Sequence, residues 1–162
     1  MGKNVDGYPG AGSVREQVGD VTGCVVVGVD GSGCGRRALQ FAAREARVHG
    51  CPLVVVRAWS MSTAPQPAVG EPGIVPPLSA YEAAVTSAVR TDVTDVLGDD
   101  PGCPVVVRTV HDGPGDALVR ASEHAVLVAV GSRGRGAIAG LLLGSVSDHL
   151  VHHARGPVVV VR

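Results

Sequence analysis

Lysine is almost missing from this chain. Of its 162 residues, 14 are Lys or Arg, and the one lysine is Lys3, close to the N-terminus. A phosphate-binding lysine of the Walker type and a Schiff-base lysine are therefore both excluded from the body of the chain. Aromatic residues are nearly as scarce: Tyr8, Phe41, Trp59 and Tyr81 are all there are. With 45% hydrophobic residues the chain can still bury a sizeable core, but an aliphatic one built of valine, leucine and alanine. An excess of either charge is missing too, with 14 Lys and Arg against 15 Asp and Glu. A net charge of −1 gives no basic surface for a polyanion, so no nucleic-acid partner is expected.

Cysteine is sparse and scattered. Cys24, Cys34, Cys51 and Cys103 form no C-x-x-C pair and no metal spacing, and they are read as reduced thiols, with Cys24 and Cys51 at the entrances to apolar runs. The first residues lack the apolar stretch of a signal peptide, and no apolar run reaches the 18 residues of a membrane span. A myristoylation motif fails because Asp6 stands where Ser or Thr is needed. The expectation is a soluble, cytoplasmic protein with no membrane partner.

What the sequence does have is valine in short, unalternated runs. They are Cys24–Ser32 (CVVVGVDGS), Leu53–Trp59, Val105–Val110, Ala125–Val130 and Val158–Val161. Such runs mark strands covered on both faces, as in a parallel sheet. Helical patterns separate them. Leu39, Ala42, Ala43 and Ala46 make a stripe that stops at Gly50 and Pro52. Ser79 and Glu82 have capping-box spacing ahead of Val85, Val89, Val93 and Val96. Pro114 suits the first turn of a short helix with Ala117, Leu118 and Ala121. A last helix opens near Gly144-Ser145 and closes on His152, His153 and Arg155, cations that suit a helix C-terminus. The reading is an α/β fold, a three-layer α/β/α sandwich around a five-stranded parallel sheet. Residues 1–22 are expected to form a flexible tail and 23–162 a single domain. The proline-rich stretch Ser60–Pro77 is expected to be a mobile loop beyond the second strand.

Glycine is abundant, at 23 residues, and concentrates after the fourth strand. Gly131 closes that strand, Gly134 follows after two intervening residues, and Gly144-Ser145 opens the last helix. Doubly wound sheets bind ligands beyond the carboxyl ends of their strands. Backbone without Cβ atoms can bring amides against phosphate oxygens, and the amides of Gly144, Ser145, Val146 and Ser147 lie at a helix N-terminus that favours anions. Ser145 and Ser147 add hydroxyl donors. A nucleotide polyphosphate is the natural occupant, and close strand–helix packing is the competing reason for the glycines.

The spacing G-x2-G-x9-G-[ST] after a valine-rich strand, with "VVVGVDGS" opening the fold and "HHARGPVVVVR" closing it, resembles the universal stress protein family, in its nucleotide-binding branch. The likeness runs over about residues 23–162. It implies a Rossmann-like sheet in the order 3-2-1-4-5, of the adenine nucleotide alpha hydrolase-like kind, ATP binding, and a homodimer through the last strand. It further implies that Asp30 contacts the adenosine with Gly28 and Val29 beside the base, that Ala58 meets adenine through its backbone, and that Gly131, Gly134, Gly144, Ser145, Val146 and Ser147 meet ribose and phosphates. AMP, ADP and a cyclic nucleotide stand as alternative ligands, and any Mg²⁺ would be held by the phosphates. Arg133 and Arg135 lie in a variable basic loop.

Other chemistry is weakly signalled. Gly134-x-Gly136-x-x-x-Gly140 lacks the acidic residue closing the next strand that a dinucleotide fingerprint needs. Gly144-Ser145-Val146-Ser147 is not a nucleophile elbow, and His111-Asp112 has no evident serine partner. His149 and His153 are one helical turn apart with no third metal ligand suggested. A nucleotide-dependent stress-response regulator with unknown protein partners is the favoured reading. A slow ATPase or phosphotransfer enzyme of the same fold is the alternative, and an interaction domain with a vestigial site is a third.

Overall fold

A computed structural model of the chain describes residues 18–67, 75–136 and 142–162. Strands and helices alternate as β1 (Val25–Gly28), α1 (Gly33–His49), β2 (Leu53–Ala58), α2 (Leu78–Leu97), β3 (Val105–Val110), α3 (Pro114–Ser122), β4 (Leu127–Gly131), α4 (Ser145–His153) and β5 (Val158–Val161). The five strands form one parallel sheet in the order β3-β2-β1-β4-β5.

The valine runs are strands because both of their faces are covered. Val25 and Val27 belong to one core cluster with Leu39, Ala42 and Ala46 of α1 and Val85 and Val89 of α2. Val26, between them, packs with Ala117, Leu118 and Ala121 of α3 and Leu150 of α4. Successive side chains of a strand point to opposite faces, so a strand between two helical layers wants a hydrophobe at every position. Each valine buried in this way contributes roughly 1.5–3 kcal/mol relative to exposure.

Local signals set most element ends. Ser32 caps α1, its hydroxyl accepting the Gly35 amide at 3.1 Å. Gly50 ends that helix in the left-handed conformation, φ 62°, which glycine adopts without penalty. Pro114 sits in the first turn of α3, where a missing amide costs nothing. Helix α2 departs from the expected start. It begins at Leu78 with Pro77 as its cap, and Ser79 lies inside the first turn, so no capping box forms. Each residue before a proline is held extended; Pro77 is the last proline of its run, and the chain is free to turn helical immediately after it.

The packed structure also reaches further back than residue 23. Val18 and Val21 are 4% and 3% exposed and belong to the core on the α3–α4 side of the sheet, and Asp20 Oδ1 accepts the Thr22 amide at 2.9 Å. The earlier part of the expected tail, residues 1–17, and residues 68–74 of the Ser60–Pro77 stretch lie outside the described residues.

Candidate nucleotide site

From β1 the chain runs outward through β2 to β3, then crosses to β4 and β5. Strands β1 and β4 are therefore neighbours whose connections leave in opposite directions, and a crevice opens beyond their carboxyl ends. It is a cavity of about 770 Å³, within the usual range of small-molecule sites. The loop after β1 (Val29, Asp30), the end of β2 (Arg57, Ala58, Trp59), the β3–α3 turn (His111 to Pro114), the glycine loop after β4 and the start of α4 all line it. Every residue singled out from the sequence is among its walls: Gly28, Val29, Asp30, Ala58, Gly131, Gly134, Gly144, Ser145, Val146 and Ser147.

The detailed geometry alters several of the expected roles. Gly131 and Gly134 are not among the described glycines with positive φ; what requires glycine at both is close approach. A Cβ on Gly131 would lie 2.7 Å from the Cys34 carbonyl carbon and 2.9 Å from the Gly35 amide, so Gly131 lets the start of α1 press against the end of β4. Packing thus accounts for this glycine without a ligand. A Cβ on Gly134 would lie 2.5 Å from Asp30 Oδ2. Asp30 itself is engaged on both oxygens: Oδ1 accepts the Ser32 amide at 3.0 Å and Oδ2 the Arg135 amide at 2.8 Å. It is a clasp between the two loops, with its remaining lone pairs left for a ligand.

At α4 the expected set of four amide donors shrinks. The Gly144 amide donates to the Ser132 carbonyl at 2.7 Å and to Ser147 Oγ at 3.0 Å. The Ser147 side chain is 1% exposed and its hydroxyl lies 3.0 Å from the Ser132 carbonyl and 2.9 Å from that of Gly144. Ser147 is thus a structural cap that ties α4 to the end of β4, not a hydroxyl donor to the cavity. The backbone amides of Ser145, Val146 and Ser147 have no acceptor among the described residues. With the Ser145 hydroxyl, they form the anion-favouring end of the helix.

Two residues of the cavity, Arg57 and Trp59, carry no mark in the sequence motifs. Arg57 donates through Nη1 to the Val29 carbonyl at 3.3 Å. Burial holds its pKa below the ordinary arginine value; Asp30 opposes that and the neighbouring Arg135 adds to it. An arginine remains charged regardless, so the cavity has a cation in its wall. Trp59 is 3% exposed with its ring centroid 4.6 Å from that of His111, and its buried Nε1–H has no acceptor among the described residues. The available signal for Arg57 is a charge inside a valine run, and for Trp59 its position just past that run. His111-Asp112, a hydrolase fragment at most on the sequence alone, belongs to this wall, and Asp112 pairs with Arg120 at 2.5 Å. His149 and His153 stack ring on ring at 4.3 Å, and His149 Nε2 reaches Asp116 at 3.1 Å, so this pair links α4 to α3.

The comparisons agree with the architecture. The family model described as Universal stress protein family matches residues 24–162. A universal stress protein of Mycolicibacterium smegmatis is 36% identical over 140 residues, covering 85% of this chain and 47% of that protein. The chain spans about half the length of the curated relatives it matches. Among solved structures, a universal stress protein from Archaeoglobus fulgidus is similar with a TM-score of 0.61 and 26% identity, over 88% of this chain and 100% of that one. A universal stress protein in complex with cAMP is similar with a TM-score of 0.59 and 26% identity, over 88% of this chain and 98% of that one.

Proposed function

The chain belongs to the universal stress protein family, and on that premise we propose that it binds an adenine nucleotide, ATP in the first place, and acts as a nucleotide-dependent regulator. One observation carries the reading: the unpartnered amides at the start of α4 and the glycine loop after β4 open into the same cavity as Arg57. Amides at a helix end, glycine backbone that a ligand can approach closely and a guanidinium together suit phosphate. Trp59 and His111, whose rings lie against each other in the same lining, give its wall an aromatic patch suited to a base. The relative solved with cAMP supports an adenine ligand. The residues present fit a nucleotide, with Asp30, Gly28, Val29 and Ala58 on the adenosine side and Ser145, Val146 and the Gly131–Gly134 loop on the phosphate side. Any Mg²⁺ would be held by the phosphates, whose charge it would offset.

Regulation is favoured over catalysis because phosphoryl transfer needs positioned cations and an oriented nucleophile. The chain's one lysine is Lys3, and the carboxylate nearest the glycine loop, Asp30, is occupied by two backbone amides. The reading extends to a cytoplasmic homodimer whose domain spans about residues 23–162 and whose downstream partners are proteins.

Denaturing the purified protein and identifying released small molecules by mass, followed by calorimetric titration of ATP, AMP and cAMP, tests the proposal. Stoichiometric adenine nucleotide supports it; an empty protein that binds none of the three refutes it. ATP hydrolysis faster than about 1 s⁻¹, the low end of ordinary turnover, would favour the ATPase alternative.

A further inference from the structure

The chain enters two neighbouring strands in the same way. Cys51-Pro52-Leu53 leads into β2 and Cys103-Pro104-Val105 into β3, and Leu53 is paired with Val105. The Leu53 amide donates to the Pro104 carbonyl at 2.8 Å, the first rung of that ladder. A residue before proline is held in extended backbone, so each strand continues its course back to its cysteine. Side chains two apart on extended chain share a face. The packing agrees: Cys51, Leu53, Cys103 and Val105 all lie on the α1–α2 side of the sheet, whereas Cys24, ahead of β1, packs on the α3–α4 side.

Cys51 and Cys103 therefore stand side by side at the amino-terminal edge of the sheet, the end opposite the cavity. The Cys51 thiol acts electrostatically on that of Cys103 and also on that of Cys24, so it is the shared face of the sheet that singles out Cys103 as its partner. Neighbouring strands run about 4.8 Å apart, and disulfides join Cα atoms about 4.4–6.8 Å apart. Neither cysteine is deeply buried, so a small oxidant has access to both. The geometry points to a redox pair: we propose that hydrogen peroxide joins Cys51 and Cys103 in a reversible disulfide that staples the entries of β2 and β3.

The chemistry balances with peroxide as the oxidant. The Cys51 thiolate attacks one peroxide oxygen and breaks the O–O bond, leaving a sulfenic acid and releasing hydroxide. The Cys103 thiolate then attacks the Cys51 sulfur and displaces the second hydroxide. With the two thiol protons, peroxide leaves as two waters, and the two sulfurs have given up two electrons. Burial pushes the Cys103 thiol up, which Arg47 partly offsets, so the closing step quickens as pH rises. A dithiol reductant reverses the bond.

The test uses the full chain treated with hydrogen peroxide, then thiol titration, intact mass and peptide mapping without reduction. The expected result is a monomer lighter by two hydrogens, with two of its four thiols lost, a cross-linked peptide pair containing Cys51 and Cys103, and recovery of all thiols with dithiothreitol. Cys24→Ser should still lose two thiols, while Cys51→Ser and Cys103→Ser should form no internal cross-link. Four free thiols after peroxide, a Cys24–Cys51 cross-link, or disulfide-linked dimers in place of the internal bond would overturn the proposal. Because the mapping is done on the unaltered protein, its outcome stands even where a serine variant folds poorly.

Discussion

The Asp30 carboxylate accepts the Arg135 backbone amide through Oδ2 at 2.8 Å, so the end of β1 grips the loop that leaves β4. The partners are 105 residues apart in sequence, and the grip passes directly over Gly134, where a Cβ would lie 2.5 Å from the same oxygen. The glycine and the clasp therefore imply one another.

That relationship predicts a coupling. Gly134→Ala should cost about 1–3 kcal/mol, the range for forcing a group into a filled space, and should weaken ATP binding as the loop shifts. Asp30→Ala removes the oxygen that the new Cβ would strike. In that background Gly134→Ala should cost less, with an interaction energy of about 0.5–3 kcal/mol. Urea unfolding of the wild type, both single variants and the double variant measures it. Strictly additive costs would show that something other than Asp30 demands glycine at position 134.

A second prediction concerns alkaline pH. Burial raises the Cys24 thiol above its ordinary value of 9.0, with Cys51 and Asp20 adding to the effect. A folded-state pKa above the unfolded one means stability that is whole below about the unfolded value and lost as pH climbs through the folded one. The wild type should therefore lose melting temperature beyond the ordinary cysteine range faster than Cys24→Ala does. Parallel curves for the two proteins across that range would contradict the burial argument.

Much of this fold is legible along the chain because its causes are local. The stripe Leu39, Ala42, Ala43 and Ala46 is buried as its spacing requires, and unbroken valine tells of strands covered on both faces. The candidate cavity is legible in position but less so in role. The sequence marks Ser147 as a phosphate donor, yet its hydroxyl faces the Ser132 carbonyl, 15 residues away. Asp30 reads as free for adenosine, yet it holds the Arg135 amide. Arg57 has no motif to announce it, only a charge in an apolar run. Each of these depends on contacts between distant segments, which no window of sequence contains.

A third prediction is association. Strand β5 is an edge: it pairs with β4 alone among the described strands, and its residues Val158–Val161 are all half-buried valines. An unpaired apolar edge invites pairing with another chain, and two copies meeting about a two-fold axis would cover both edges at once. Light scattering at micromolar concentration should report a dimer, and Val159→Lys, which places a charge on that edge, should shift it toward monomer. A monomer at such concentrations would remove this reading of β5.

The last prediction uses Trp59 as a witness to where the nucleotide sits. It is the one tryptophan of the chain, buried at 3% exposure in the wall of the cavity, with the His111 ring beside it at 4.6 Å. Its Nε1–H is buried without an acceptor among the described residues, a state that costs about 1–3 kcal/mol and that a ligand acceptor would relieve. A base entering between the ends of β2 and β3 changes the polarity around the indole and disturbs its contact with His111. ATP should therefore alter Trp59 emission along the same saturation curve that calorimetry gives, and His111→Ala should change the size of that signal while leaving the phosphate end intact. If calorimetry shows binding and the emission stays constant, the ligand lies outside this cavity and the residue assignments fall with it.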